Sequence, residues 1–133
     1  MSRTRIFKVS EMTETDILSA ARALDEGAVS VVPTDTVYGI GTGAFCEESV
    51  LRIYQIKARP ATSPLQILTG SVAQAEAVAQ FSAGAERLAQ TYWPGAITII
   101  LPPTPQGENL TRGFKGLGLR VPGNPFLVKL LSQ

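Results

Sequence analysis

The chain has 133 residues, of which 44% are hydrophobic and 17% are charged, and its formal net charge is +1. This composition is typical of one globular domain and argues against a disordered chain or a non-specific polyanion binder. The lack of histidine and the single cysteine, Cys46, exclude a Ser-His-Asp triad, a Cys-His pair, a histidine metal cluster and an internal disulfide. No secretory signal and no apolar run of roughly 20 residues is visible, so we expect a cytoplasmic protein that does not enter a membrane.

The N-terminal part of the chain predicts a strand, a helix and a second strand. Polar and apolar residues alternate over 5–9, which is typical of a half-buried strand. The helix begins after Thr13, a candidate N-cap, and apolar side chains recur at helical spacing up to Gly27, which is placed to end it. The apolar run 28–32 predicts a buried strand, which Pro33 ends.

The remaining predicted elements alternate between helices and strands after a glycine-rich loop at 33–43. Predicted helices lie at 47–58, at 72–92 with a division near 82–84, and at 125–131. Predicted strands are the apolar runs at 65–69, 96–101 and 117–121, and a loop rich in Pro and Gly separates the last two. Strands interleaved with helices, without a linker or an internal repeat, predict a single α/β or α+β domain over residues 1–133.

The loop after the second predicted strand carries two hydroxyls and a carboxylate, on Thr34, Asp35 and Thr36. Ligands of open α/β sheets usually bind at the carboxyl ends of strands, and the glycines that follow would let a ligand approach the backbone. The alternative is a capped turn, in which these side chains bond to nearby backbone groups. The loop is not a P-loop, because no Gly-Lys-Ser/Thr follows it.

A Lys-Ala-Arg-Pro segment at 57–60 ends the helix predicted at 47–58. The helix dipole favours cations at this position, so Lys57 and Arg59 are in one interpretation solvated charges at a helix end. In the other interpretation they form a phosphate site, because Arg binds phosphate as a planar fork and Lys binds it as a point charge. Nucleoside triphosphate chemistry depends on such positioning and charge neutralisation.

Trp93 and Arg120 are large side chains next to proline-containing turns. Trp93 precedes Pro-Gly, a pattern that favours a core position over a surface on which a ligand stacks. Arg120 lies in the apolar strand at 117–121, and a buried Arg requires an anionic partner. That partner is either a ligand carboxylate or an internal Asp or Glu. Arg112 and Lys115 lie in a loop and are most simply solvent-facing.

Five motifs in order give the chain a resemblance to the YrdC-like family of threonylcarbamoyl-AMP synthases, from Thr13 to the C-terminus. The motifs are Pro-Thr-Asp-Thr-Val-Tyr-Gly-Ile at 33–40, Ile-Tyr-Gln-Ile-Lys-Ala-Arg-Pro at 53–60, Ser-Pro-Leu at 63–65, Trp-Pro-Gly-Ala-Ile-Thr at 93–98 and Leu-Arg-Val-Pro at 119–122. Each motif is a weak match by itself, but all of them in this order are highly specific.

The resemblance implies an α/β fold in which a twisted, mixed and mostly parallel sheet with flanking helices surrounds a concave basic cavity. It also implies an enzyme, a nucleotidyltransferase that forms threonylcarbamoyl-AMP and pyrophosphate from L-threonine, bicarbonate and ATP. A partner transferase would then use the product to make N6-threonylcarbamoyladenosine in tRNA. ATP would be a substrate, accompanied by Mg²⁺ that phosphate and water hold, with no tightly bound cofactor and no metal site on the protein.

Carried over residue by residue, the resemblance implies two groups of site residues. The threonine site would comprise Thr34, Thr36 and Arg120, of which Arg120 binds the carboxylate. The nucleotide site would comprise Lys57, Arg59 and Ser63, of which Lys57 and Arg59 form the catalytic pair that holds the phosphates. The three cations would meet in one cavity and offset the negative charge of the carboxylate, the carbamate and the triphosphate.

The C-terminus departs from the family pattern, in which the chain continues into a Ser-x-Asn motif that completes the nucleotide site. This sequence ends at Leu131-Ser132-Gln133 without that motif. We therefore expect a YrdC-like domain whose C-terminal part is missing, which leaves an unpaired sheet edge. Two alternatives to the synthase stay open, namely a double-stranded RNA or tRNA binding module that uses the same cavity, and a non-catalytic paralogue.

Overall fold

The computed structural model describes residues 4–60 and 63–133, in which α-helices flank two small β-sheets. The helices are α1 (Glu14–Asp25), α2 (Glu47–Ile56), α3 (Val72–Val78), α4 (Ala83–Tyr92) and α5 (Pro125–Leu131). The strands are β1 (Ser30–Val32), β2 (Gly39–Gly41), β3 (Ile67–Leu68), β4 (Ile99–Leu101) and β5 (Leu117–Arg120). Short 3-10 helices occupy Val9–Glu11 and Pro105–Thr111. Within the described ranges, no helix has the length and apolar character needed to span a membrane.

Side-chain caps determine where the helices begin. Thr13 Oγ1 accepts a hydrogen bond from Asp16 N at 3.1 Å, and the Asp16 carboxylate accepts one from Thr13 N at 3.0 Å. This capping box confirms the predicted start of α1. The side chains of Ser71, Ser82 and Asn124 cap α3, α4 and α5 in the same way. The expected division of the 72–92 region at Ser82 and the expected start of α5 are therefore confirmed.

The strands form two sheets, one antiparallel and one mixed, and not the one sheet that the resemblance implied. β1 pairs antiparallel with β2, across a connection short enough for a hairpin. The second sheet has the order β3–β5–β4, in which β5 is parallel to β3 and antiparallel to β4. The α/β class and the mixed pairing are confirmed. The expected parallel majority is wrong for the described strands, because β1–β2 and β4–β5 are both antiparallel.

Two apolar clusters hold the helices against the sheets. The first cluster surrounds β4 and β5, and Leu119 within it is fully buried. The second cluster joins α1 to α5 and includes the buried side chains of Ile17 and Leu127. Val32 of β1 and Leu68 of β3 both pack against the second cluster. The second cluster therefore contacts a strand from each sheet.

Some segments differ from the elements expected from the sequence. Residues 5–9 do not form the predicted strand, and Ile6 is 91% exposed, so the alternating pattern there does not lead to burial. β2 lies in the stretch expected to be a loop, because pairing with β1 compensates for the low strand propensity of its glycines. The loop expected at 102–116 contains the 3-10 helix Pro105–Thr111, which begins with a proline at its first turn.

Candidate functional site

The loop after β1 is a turn in which the Thr34 hydroxyl is the central acceptor. Thr34 Oγ1 accepts hydrogen bonds from Thr36 N at 3.1 Å and from Val37 N at 3.2 Å, and it donates to Val37 O at 2.5 Å. The Thr36 hydroxyl lies 3.1 Å from that same Oγ1. The Thr34 hydroxyl thus bonds to nearby backbone groups, as expected in a capped turn, and Thr36 is an exposed residue. The roles of Thr34 and Thr36 in binding a ligand stay predictions.

Arg120, the last residue of β5, is buried at 6% exposure and has an internal acidic partner. Its Nη2 donates to Oδ1 of Asp35, which follows β1, and its Nε donates to Gly95 O at 2.7 Å. The Asp35 side chain is 18% exposed, and that of Arg120 is 7% exposed. Of the two partners expected for Arg120, a ligand carboxylate or an internal acid, the structure contains the internal acid.

Gly123 lies against this ion pair, and Gly95 lies in the tight turn whose carbonyl binds Arg120. A Cβ atom on Gly123 would lie 2.9 Å from Asp35 Oδ2, and one on Gly95 would lie 2.5 Å from Tyr92 O. Gly95 N also donates to Val121 O at 2.8 Å. Gly95, in the turn before β4, therefore makes two hydrogen bonds to the end of β5. It donates through its N–H and accepts through its carbonyl oxygen, which binds Arg120.

Lys57 and Arg59 lie where α2 ends in a left-handed turn. Ala58 between them has φ 50°, and Arg59 N donates back to Tyr54 O at 3.0 Å while Ala58 N donates to Gln55 O at 3.1 Å. This is the Schellman arrangement, with alanine in the position where glycine is usual. The Lys57 side chain is exposed, and Arg59 Nη2 donates to a backbone carbonyl in the segment that follows.

Ser63 lies in that following segment, which is held against α2. The Tyr54 hydroxyl donates to Ser63 O at 2.6 Å, and Arg59 Nη2 donates to Pro64 O at 3.2 Å. Ser63 N donates to Pro60 O at 3.0 Å. Lys57, Arg59 and Ser63 are thus placed by one element, α2 and its end.

The predicted site residues fall into two groups, each held together by its own contacts. One group consists of the Thr34–Thr36 turn and Arg120, which Asp35 joins. The other group consists of Lys57, Arg59 and Ser63 at the end of α2. Among the hydrogen bonds and ion pairs of the described residues, none joins the two groups, so the convergence of the three cations on one cavity stays a prediction. The sequence places Asp35 in the predicted ligand loop, but it does not indicate that Asp35 is the acidic partner of Arg120.

Trp93 is a core residue, as its sequence context favoured. Its side chain is 8% exposed, and its ring lies edge-on to Phe81 with the ring centroids 6.1 Å apart. Its Nε1 donates to Ile97 O at 2.7 Å, which satisfies the polar end of the indole. Trp93 therefore supports the turn that presents Gly95 O to Arg120.

An apolar cleft lies beside this turn, since Trp93 and Pro94 line it. Its volume is about 300 Å³, and its lining residues are Gly70, Ser71, Val72, Trp93, Pro94, Val121 and Val128. None of the predicted site residues lines this cleft. Within residues 4–60 and 63–133, no group of His, Cys, Asp and Glu side chains is arranged to hold a metal ion.

Curated relatives match nearly the whole of this chain. The threonylcarbamoyl-AMP synthase of Pyrococcus abyssi is 37% identical over 132 residues, which cover 97% of this chain and 39% of the relative. The threonylcarbamoyl-AMP synthase of Bacillus subtilis is 34% identical over 120 residues, which cover 88% of this chain and 35% of the relative. The chain thus spans less than two fifths of the length of these two relatives.

Solved structures share the fold, and a family model agrees with them. P. abyssi Sua5 complexed with L-threonine matches with a TM-score of 0.83 and 36% identity, over 92% of this chain and 36% of that one. E. coli YciO matches with a TM-score of 0.80 and 27% identity, over 90% of this chain and 59% of that one. The model of the Sua5/YciO/YrdC family, described as telomere recombination, matches residues 22–133. By sequence and by fold, the chain belongs to the Sua5/YciO/YrdC family.

Proposed function

We propose that this chain provides threonine and nucleotide binding residues of an L-threonylcarbamoyladenylate synthase, a cytoplasmic nucleotidyltransferase that serves tRNA modification. One observation carries the proposal. The Thr36 turn and Arg120 meet through Asp35 at the carboxyl ends of β1 and β5, in a chain that is 36% identical to P. abyssi Sua5, which was solved with L-threonine. The names of the curated relatives support the same reaction.

The reaction requires an amino acid and a triphosphate to be held side by side. The α-ammonium group of L-threonine loses a proton, the resulting amine attacks the carbon of bicarbonate, water leaves, and a carbamate forms. A carbamate oxygen then attacks the α-phosphorus of ATP, the bond to the bridging oxygen breaks, and pyrophosphate leaves with that electron pair. No protein nucleophile is required, so catalysis rests on positioning and on charge stabilisation.

In this proposal the two groups of side chains serve the two substrates. Arg120 binds the threonine carboxylate and Thr36 contacts the amino acid, while Thr34 holds the turn in shape. Lys57 and Arg59 neutralise the triphosphate, with Ser63 nearby, and Mg²⁺ bound to phosphate and water would accompany ATP. The exposed end of α2 supports this role, because Lys57 is exposed and Arg59 is only half-buried.

The fate of the product completes the proposal. Threonylcarbamoyl-AMP is a mixed anhydride, so it reacts readily with an amine, and a partner transferase would move the threonylcarbamoyl group to an adenosine of tRNA. The near-neutral charge of the chain, +1, gives no support to tight binding of RNA by this chain alone.

The proposal is tested by measuring pyrophosphate release from ATP by the chain in the presence and absence of L-threonine and bicarbonate. We expect release that depends on both additions, and threonylcarbamoyl-AMP as the second product, identified by mass. Release that does not require L-threonine indicates an ATPase, and the absence of release from a folded chain contradicts catalysis by this chain.

A further inference from the structure

The ion pair between Asp35 and Arg120 retains binding capacity on both of its partners. A guanidinium group has five N–H donors, and the structure gives two of the bonds made by Arg120, to Gly95 O and to Asp35 Oδ1. A carboxylate offers acceptor sites on both oxygens. The ion pair uses Oδ1 of Asp35, while Oδ2 packs against the backbone at Gly123, where a Cβ atom would lie only 2.9 Å away. The Asp35 side chain is also the more exposed of the pair.

A free α-amino acid matches this arrangement of charges. Its carboxylate and its ammonium group are attached to the same carbon atom, so its two charges are neighbours. Asp35 and Arg120 likewise place a negative and a positive group next to each other. Thr36, whose hydroxyl lies 3.1 Å from that of Thr34, follows Asp35 in the chain. A zwitterion laid across the pair would bring each of its charges to the opposite charge of the protein, which favours both contacts.

We propose that Asp35 binds the α-ammonium group of the amino acid whose carboxylate Arg120 binds, so that the pair selects free α-amino acids. This inference rests on the proposed function and extends it by one further binding residue. The contact belongs to the zwitterion, because the nitrogen loses its positive charge when the carbamate forms. Asp35 therefore acts on the binding of L-threonine and on its KM more than on kcat.

The test is a comparison of two ligands on two variants by titration calorimetry. The ligands are L-threonine and 3-hydroxybutyrate, which is threonine without the amino group, and the proteins are the wild type and Asp35→Asn. Asparagine keeps the size of the side chain and an acceptor oxygen for Arg120, but it removes the charge. We expect the variant to bind L-threonine about tenfold to a hundredfold more weakly, the range that a charge-assisted hydrogen bond gives, and to bind 3-hydroxybutyrate within about twofold of wild type.

Other results overturn the inference. An equal loss of affinity for both ligands would mean that Asp35 only positions Arg120, and a gain for both would mean that Asp35 competes with the ligand carboxylate. If Asp35→Asn does not fold, the wild type alone decides, because 3-hydroxybutyrate that binds as tightly as L-threonine excludes an ammonium contact. Glu14→Gln, which breaks the exposed ion pair with Lys129, is the control and should change neither affinity.

This test does not depend on turnover, so it separates the inference from the proposed function. Suppose that the wild type binds L-threonine more tightly than 3-hydroxybutyrate, that Asp35→Asn loses this difference, and that no pyrophosphate is released. This result supports the amino-acid site and contradicts catalysis by this chain. Threonine-dependent pyrophosphate release with an unchanged KM for L-threonine in Asp35→Asn supports the synthase and overturns the inference. A wild-type chain that binds no L-threonine overturns the inference as well.

Discussion

Arg120 is a buried cation whose bonds join three segments that are distant in the sequence. Its guanidinium contacts Asp35 after β1 and Gly95 before β4, while its own backbone ends β5. Removing one member of a buried ion pair leaves the other charge uncompensated, which costs more than the pair contributes net. The stability of the fold and the geometry of the proposed threonine site therefore depend on the same side chain.

Replacing Arg120 by methionine should lower the free energy of unfolding by about 2–4 kcal/mol. The reason is that Asp35 and Gly95 O lose their partner, and the expected value lies below the full cost of a broken buried pair because Asp35 stays partly in contact with water. Urea unfolding followed by circular dichroism measures the change. The control is Glu14→Gln, whose ion pair is exposed and contributes less than about 1 kcal/mol. Equal effects of the two variants would contradict the role given to the buried pair.

Replacing Arg59 by alanine should reduce threonine-dependent pyrophosphate release at least about a hundredfold, as expected when one charged group that stabilises a transition state is lost. The fold should remain, because the one side-chain bond that the structure gives for Arg59 is to Pro64 O at the surface. Arg52→Ala, an exposed residue of the same helix α2, is the matched control for pyrophosphate release. Full release by Arg59→Ala would exclude Arg59 from the nucleotide site.

The need of Arg120 for an anion was predictable from the sequence, but the identity of that anion was not. Burial in an apolar strand dictates that a charge must be compensated. The partner, Asp35, is 85 positions away, and only the pairing of the strands brings the two together. The contact of Arg120 with Gly95 O was not predictable either. A carbonyl oxygen is present in every residue, so the sequence does not show which one accepts the bond.

At the scale of elements, local signals predicted helices better than strands. The caps at Thr13, Ser71, Ser82 and Asn124 act within one turn of helix, so the sequence alone contains them. The strands are two to four residues long and depend on partners elsewhere in the chain. For this reason β2 was missed and the segment 5–9 was assigned wrongly.

The end of α2 offers a test of an element boundary. Ala58 adopts a left-handed conformation, which costs a residue with a side chain roughly 1–2 kcal/mol, while glycine costs roughly 0.5–1 kcal/mol in conformational entropy. Ala58→Gly should therefore raise the free energy of unfolding by about 0.5–1 kcal/mol, measured by thermal or urea unfolding. Ala23→Gly, at an exposed position with helical backbone in the last turn of α1, is the matched control and should lower the free energy of unfolding instead. A loss of stability in Ala58→Gly would contradict the strained helix end.

At the scale of the molecule, two clusters and one ion pair join the two sheets. The first cluster contains Trp93 and belongs to the sheet of β3, β4 and β5. The second cluster lies between α1 and α5 and contacts Val32 of β1 and Leu68 of β3. The Asp35–Arg120 pair makes a further link at the carboxyl ends of β1 and β5. We therefore expect the two sheets to unfold together.

Leu127→Ala tests this cooperativity, because Leu127 is 1% exposed in the second cluster and the single tryptophan of the chain, Trp93, reports on the first. The cavity left by the truncation should cost about 2–5 kcal/mol. In a two-state transition the urea midpoints from Trp93 fluorescence and from far-UV circular dichroism should fall by the same amount. Leu119→Ala in the first cluster is the matched control and should shift both signals as well. If Leu127→Ala lowered the dichroism midpoint but left the Trp93 fluorescence midpoint unchanged, the clusters would unfold separately, and the ion pair would not be enough to couple the two sheets.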